Sequence, residues 1–520
     1  MARDYNAAVA ALNTLQSNFS IVDAIRKSGR GMNQNAIPEM IEWVKRIGYE
    51  PSDFDKLNAI HIAGTKGKGS TSSFISSILY QYTKSSSGNA PRKVGLYTSP
   101  HLRFVRERIQ INNQPLSEET FAKYFYETWD RLEASAAAAN HPNPSSPDTK
   151  PVYFRFLTLM AFHCYMSEGV DAAVIECGIG GEYDSTNILV KPSVTGVTSL
   201  GIDHTAMLGE TIDSIAWHKA GIFKPDVPAF SAPQPEGAVQ VLQQRAAERS
   251  TTVDIVATHP ALDSIKLGLA GDFQKINASV AIATASAYLQ QQGHTDMPSP
   301  NDGSALLPEP FRIGLEQVRL GGRCEIRHDP AHNLTWHIDG GHTLESIEMA
   351  GRWFASLIQH PSTTSNLPRI LIFNQQTRDA SSLAMRLHTT LATALNNRRP
   401  FTEVIFCTNT TYASTGFRPD LTSVNTNAAD VEALSVQHEL AKTWAEVDPD
   451  AKVSVVKTIE EAVVLARTAG TVGTAGTTVS DGAHSSEDVK VLVTGSLHLV
   501  GGVIEVLESE VEEAARSRTT

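Results

Sequence analysis

The sequence predicts an α/β protein in two parts: a P-loop-type domain on a mostly parallel sheet over residues 1–322, and a smaller Rossmann-like α/β domain over residues 323–520. Three observations predict it. Short apolar runs alternate with runs of helical spacing, a glycine-rich turn joins the first such pair, and the alternation stops and restarts near residue 334. A chain of 520 residues also exceeds what one compact core usually holds.

The first extended run is Ala59 to Ala63. Ser70 to Tyr80 follows, with Phe74, Ile75, Ile78 and Leu79 at helical spacing, and Val94 to Tyr97 is extended again, so the three make a βαβ unit. Further strands are predicted at Ala172 to Glu176, Val194 to Thr198 and Val227 to Phe230, and helices at Phe154 to Tyr165 and Asn277 to Leu289. The second series has strands at Leu334 to Ile338, Arg369 to Phe373, Glu403 to Cys407 and Val491 to Thr494, with helices at Thr343 to Ile358 and Ser381 to Leu395. Between the series lie the Pro-rich stretch Pro298 to Pro310 and the pair Gly321-Gly322, a flexible joint. Ser135 to Pro151 and Ala469 to Ser486 are rich in small residues and read as solvent-exposed insertions.

Composition narrows the function. A net charge of -12 disfavours nucleic acid or an anionic membrane as partner, because both call for a basic surface. No apolar run approaches the ~20 residues of a membrane span. The four cysteines, Cys164, Cys177, Cys324 and Cys407, show neither zinc-like spacing nor a disulfide framework, so reduced thiols and a cytoplasmic protein are expected. The N-terminal residues lack an apolar signal core, and Asp4 suits a transit peptide poorly; a mitochondrial pool stays open.

The turn Gly64-Thr65-Lys66-Gly67-Lys68-Gly69-Ser70 follows a strand and opens a helix. Glycines there let backbone N–H groups face a phosphate, the helix start adds partial positive charge, and Lys68 can reach the outer phosphates. It departs from the GxxxxGK[ST] pattern: Ile62 stands at the first glycine, and Gly69 precedes the hydroxyl of Ser70. Read alone, it is a phosphate loop or a plain strand-to-helix turn.

This variant loop resembles that of the Mur ligase superfamily, and the motifs after it are similar to the superfamily's folate branch. They are Tyr97-Thr98-Ser99-Pro100-His101-Leu102 with Arg106-Glu107-Arg108-Ile109; Glu176-Cys177-Gly178-Ile179-Gly180-Gly181 with Asp184-Ser185-Thr186-Asn187; Asp203-His204; His218-Lys219-Ala220-Gly221-Ile222; Gly271-Asp272-Phe273-Gln274 with Asn277; Asp339-Gly340-Gly341-His342; and Thr494-Gly495-Ser496-Leu497. Their order and spacing look like the folylpolyglutamate synthase family from about residue 20 onward. Lys66, the segment Tyr153 to Thr158, and Leu371 to Asn374 with Arg378 look like its eukaryotic type.

The resemblance implies an ATP-dependent acid–amino-acid ligase that adds glutamate to the γ-carboxylate of a folate's glutamate tail through an acyl phosphate. Its small-molecule partners would be ATP, reduced folate and L-glutamate. Mg2+ would be required, a monovalent cation such as K+ is a further candidate, and a monomer is expected. Residues 64–70 with Asn277, Arg323, Asp339 and His342 would bind ATP; Ser99, Glu176 and His204 would hold Mg2+; and Lys68, Glu176, His204 and Lys219 would serve catalysis, Lys219 as a carbamate. Placement of Arg323, Asp339 and His342 at and beyond the joint implies closure over ATP. Gly341 replaces the family's usual alanine.

Plainer readings stand beside these. Glu176 could be a helix-capping or salt-bridged surface acid, His204 a hydrogen-bonding residue, Lys219 a solvated charge, Arg323 an interdomain salt bridge and Asp339 a helix N-cap. Arg103, Arg106 and Arg108 could pair with folate carboxylates or form a solvated loop. Phe104, Tyr153, Phe154 and Phe156 could stack on a pterin or pack the core, with Arg106 and Phe156 the expected folate contacts. Rival functions are a dihydrofolate synthase or bifunctional enzyme, a cell-wall ligase, and a nucleotide-binding module without catalysis. A GTPase is disfavoured by the absence of an NKxD segment.

Overall fold

The computed structural model describes residues 3–16, 34–84, 89–295, 297–299, 306–359, 368–376, 379–413, 420, 431–474 and 488–517. Arg378 lies outside the described residues, as do 300–305 of the Pro-rich stretch and 475–486 of the second predicted insertion. The chain forms two compact units, Met1–Leu320 and Gly321–Thr520.

The first unit is built on eight strands: β1 (Ile60–Ala63), β2 (Val94–Tyr97), β3 (Ile109–Ile111), β4 (Gln114–Pro115), β5 (Ala172–Glu176), β6 (Val194–Val197), β7 (Ala229–Ser231) and β8 (Val253–Ile255). They lie in the order β4-β3-β2-β5-β1-β6-β7-β8. From β2 to β8 every pairing is parallel, and β3 and β4 add an antiparallel edge. Side chains alternate between faces along a strand, and helices cover both. On one face Ile60, Ile62 and Val174 pack with Phe74, Ile78 and Leu79 of the helix Lys68–Tyr82 and with Ala281 and Ile282 of the helix Gln274–Gln291. On the other, Ala173 and Ile175 meet Phe121 and Phe125 of the helix Glu118–Ala138 and Phe162 of the helix Tyr153–Glu168. Burial on both faces is why these strands read as unbroken apolar runs.

The second unit has β9 (Glu325–Asp329), β10 (Leu334–Ile338), β11 (Arg369–Phe373), β12 (Glu403–Phe406), β13 (Lys452–Val455) and β14 (Val489–Thr494), in the order β13-β12-β11-β14-β10-β9. All pairings are parallel except that of β9, an antiparallel edge. The strands missed from sequence, β3, β4, β8, β9 and β13, are short or carry polar residues on one side. β9 alternates between half-buried and exposed positions, as an edge strand open to water does.

The predicted insertion at Ser135 to Pro151 differs from expectation at both ends. The helix Glu118–Ala138 runs into it, and Lys150 at its far end is buried, its Nζ 3.0 Å from Glu133 and 3.1 and 3.2 Å from the carbonyls of Pro144 and Ser146. Only the stretch between, 137–148, is largely exposed.

Candidate active site

In a sheet of this kind ligands gather at the carboxyl ends of the strands where connections leave in opposite directions. That point is β1, flanked by β5 and β6. Gly64 has φ +147° and Gly67 φ +87°, values that favour glycine, and a side chain at either would strike Thr198 or Asn277 respectively. Gly67 caps the helix Lys68–Tyr82, so the helix starts two residues before the sequence suggested, with Lys68 and Gly69 in its first turn. The N–H groups of Thr65 and Lys66 donate to the Ser199 carbonyl at 3.0 Å each, holding the loop against the end of β6. Behind it, Asn277 Nδ2 donates to Gln274 Oε1 at 2.8 Å, and Gln274 Nε2 donates to Ser70 Oγ at 3.3 Å. Gln274, fully buried within the motif Gly271-Asp272-Phe273-Gln274, is a support of the loop that only the fold reveals.

Glu176 ends β5, only 3 % exposed. Its Oε2 accepts the Ser99 backbone N–H at 3.0 Å and lies 3.6 Å from where a Cβ on Gly69 would stand, so carboxylate, Ser99 and phosphate loop adjoin. The turn bearing Ser99 is fastened from behind by Glu107, whose carboxylate accepts the N–H groups of Leu102 at 2.8 Å and Phe104 at 3.1 Å. A hydroxyl and a carboxylate beside a phosphate loop are oxygen donors of the kind Mg2+ takes, so these two residues fit that ion. His204 sits in an exposed loop with left-handed backbone. Its neighbour Asp203 links that loop to the phosphate loop, accepting Lys66 Nζ at 3.2 Å and the His204 N–H at 2.9 Å. Among the described residues no group of three or more His, Cys, Asp and Glu side chains could hold a metal by itself.

Lys219 ends the helix Ile212–Lys219 and is 2 % exposed, the reverse of a solvated charge. Burial pushes its ammonium down to about 7, the Lys68 charge adds to the shift, and Asp184 and Asp203 oppose it. Near neutral pH much of this amine is uncharged and nucleophilic.

In the second unit Asp339 follows β10 and is 7 % exposed. It is not the helix N-cap: Thr343 fills that role by accepting from Ser346. Asp339 instead accepts the N–H groups of Cys324 and Gly341, each at 2.9 Å; burial raises its pKa and Arg323 opposes the rise. His342 Nδ1 lies 2.9 Å from the Gly340 carbonyl, and Arg323 Nη1 is 2.8 Å from where a Cβ on Gly340 would stand. Arg323 thus lies against the turn 339–342 that carries Asp339 and His342.

The folate contacts fare differently. Phe156 is fully buried in the core, with ring centroids 5.2 Å from Phe125 and 5.8 Å from Trp129, so core packing accounts for it. Arg106 Nη1 donates to the Leu116 carbonyl at 3.1 Å with its guanidinium over Phe104, and Arg108 Nε donates to His101 Nδ1 at 2.9 Å.

A glycine loop opening a helix at the switch point of a parallel sheet defines an α/β protein of the nucleotide-phosphate-binding class. No family model matches the chain. It is 44% identical over 508 residues to the folylpolyglutamate synthase of Neurospora crassa, covering 98% of this chain and 92% of that one, and 46% identical over 508 residues to that of Saccharomyces cerevisiae, covering 97% and 87%. The chain belongs to the folylpolyglutamate synthase family and is a ligase that joins glutamate to folate. Its fold is similar to that of the Mycobacterium tuberculosis folylpolyglutamate synthase complexed with ADP and AMPPCP, at TM-score 0.63 and 23% identity over 89% of this chain and 95% of that one. E. coli FolC in complex with DHPP and ADP gives TM-score 0.63 at 21% identity over 98% of both chains. Among the described residues no helix is long and apolar enough to cross a membrane.

Proposed function

We propose that the chain lengthens the glutamate tail of a reduced folate at its γ-carboxylate, activating that carboxylate as an acyl phosphate, and that residues 64–70 with Ser99, Glu176 and Lys219 are its centre. The observation that carries this reading is the junction of Ser99 and Glu176 beside Gly69, oxygen donors placed against a phosphate loop.

A carboxylate is a poor electrophile and its oxygen a poor leaving group. Transfer of the γ-phosphoryl of ATP to it cures both, after which the glutamate amine attacks the acyl carbon and phosphate leaves. Loop N–H groups and Lys68 orient the phosphates and offset charge moving onto ADP. Ser99, Glu176 and, as a third ligand, His204 would hold Mg2+, which supplies the remaining positive charge. Lys219, its amine uncharged in part near neutral pH, adds to CO2 with loss of a proton and so becomes an anionic carbamate facing Lys68. Asn277 supports the loop, and Arg323, Asp339 and His342 take further contacts to ATP.

The test incubates the protein with ATP, Mg2+ and glutamate, offering tetrahydrofolate monoglutamate or dihydropteroate, and follows phosphate release and product length. Extended tetrahydrofolates are expected. Activity on dihydropteroate alone would overturn the reading.

A further inference from the structure

His61 is an anomaly in β1. It occupies the central strand of a parallel sheet, three residues before Gly64, and is fully buried. Burial, aided by the charge of Lys224, pushes its imidazole down to about 3, so the ring is neutral near pH 7.

Its Nε2 lies 2.8 Å from Thr186 Oγ1 and 3.1 Å from Cys177 Sγ. Thr186 Oγ1 in turn donates to Asp184 Oδ1 at 2.6 Å. A hydroxyl has one hydrogen, and here it goes to the carboxylate; the Thr186 oxygen can then only accept, so His61 carries its proton on Nε2 and donates. Asp184 is the end of the chain. Its Oδ1 also accepts the Thr186 N–H at 2.9 Å, and its Oδ2 accepts the N–H groups of Gly178 and Ile179 at 3.0 Å each. Those two amides belong to the loop that leaves β5 directly after Glu176 and Cys177. The same loop reaches the helix of Lys219: the Glu182 N–H donates to the His218 carbonyl at 2.7 Å, and Asn187 Nδ2 donates to the Gly221 carbonyl at 3.1 Å.

We infer that His61, Thr186 and Asp184 form a one-way hydrogen-bond relay whose task is to fix the loop 177–184, and through it the spacing of Glu176 and Lys219. His61 is therefore a positioning residue for the ligase reaction, acting as a neutral donor. The inference deepens the proposed function and rests on it for its kinetic part, whereas its structural part stands by itself. The motif Asp184-Ser185-Thr186-Asn187 thereby gains a role: Asp184 gathers the loop amides, and Thr186 passes the hold to β1.

The variants are His61→Leu, which removes the donor, His61→Gln, which restores an N–H near Nε2, and Thr186→Val, which cuts the relay at its middle. Amide hydrogen exchange reads the loop without reference to turnover. His61→Leu and Thr186→Val are expected to speed exchange at Gly178 and Ile179 while leaving β5 and the helix Lys68–Tyr82 protected. In the ligase assay both should lower kcat on the order of 10-fold or more with little change in KM for ATP, as lost outer supports of a reacting group do. His61→Gln should recover most of that loss, and the double variant His61→Leu with Thr186→Val should be no worse than either single one. Unchanged exchange at Gly178 and Ile179 overturns the relay whatever the wild-type chain catalyses. So does equal impairment of His61→Leu and His61→Gln, which would make the loss one of packing, and so does a multiplicative double variant. Should His61→Leu fail to fold, Thr186→Val against Thr186→Ser carries the same comparison.

Discussion

The backbone N–H of Ser99 donates to Oε2 of Glu176 at 3.0 Å, so the turn after β2 and the end of β5 are tied by a backbone group that truncation of the serine side chain leaves in place. Ser99→Ala should therefore delete the hydroxyl proposed to hold Mg2+ without releasing the carboxylate. Charge and orientation at this junction can be separated experimentally.

Glu176→Gln performs the separation. The amide keeps an oxygen to accept from Ser99, so the fold should persist, with a melting temperature close to that of the parent. Without its negative charge the junction no longer suits a divalent ion, and turnover in the folate assay should fall by about 100-fold or more. Near-normal turnover would remove Glu176 from the reacting centre.

Lys219 sets a pH dependence whose sign can be worked out. Its folded value is about 7 against an ordinary 10.5, so between those limits the unfolded chain binds more protons and stability rises with pH. Below about 7 the amine is charged in both states and the cost of burying that charge is borne in full. In bicarbonate-free buffer Lys219→Met should melt higher than the parent at pH 7, and the gap should close as pH approaches 10. Turnover with added bicarbonate should rise through pH 7 in the parent and be largely lost in the variant. A melting gap that is constant over this range would show that the buried amine does not titrate as described.

These groups differ in how far the sequence alone reveals them. The phosphate loop is local: a strand, three glycines and a helix within a dozen residues state their own geometry. Glu176 is visible as the end of an apolar run, but its partnership with Ser99 spans 77 positions and only pairing of β2 with β5 brings them together. His61 and Thr186 are separated by 125 positions, and nothing in a lone histidine inside a strand announces a donor. Phe156 shows the opposite failure: an aromatic beside suspected folate residues has the same one-letter signature whether it faces a pterin or the core, and only burial distinguishes them.

Two glycines separate strain from collision. Gly169 has φ +68° at the end of the helix Tyr153–Glu168, with open space where a Cβ would be, whereas Gly67 at φ +87° would drive a Cβ into Asn277. Gly169→Ala should cost only the left-handed backbone penalty, about 1 kcal/mol, and leave ADP binding intact. Gly67→Ala carries that penalty and must also displace Asn277, so it should weaken ADP binding by calorimetry at least tenfold. Equal behaviour of the two would mean that the loop tolerates movement of Asn277.

Lys150 and Glu133 form an ion pair whose halves should not be equivalent. The lysine side chain is 0 % exposed, the glutamate 28 %, and the ammonium stands 4.5 Å over the Trp129 ring. Removing Lys150 leaves a carboxylate that can turn to water, and a methionine in its place gains apolar contact with Trp129 while losing two hydrogen bonds to carbonyls. Neutralising Glu133 leaves a cation sealed from solvent with those carbonyls and one ring as company. Breaking a buried pair is costly because of the charge left behind. Glu133→Gln should therefore destabilise the fold more, on the order of 3 kcal/mol in urea unfolding, and Lys150→Met less, about 1 kcal/mol. With both replaced, no stranded charge remains, and the double variant should be more stable than Glu133→Gln alone. If Lys150→Met proves the more damaging single change, the pair is held by its hydrogen bonds to Pro144 and Ser146 and the charge of Glu133 is incidental.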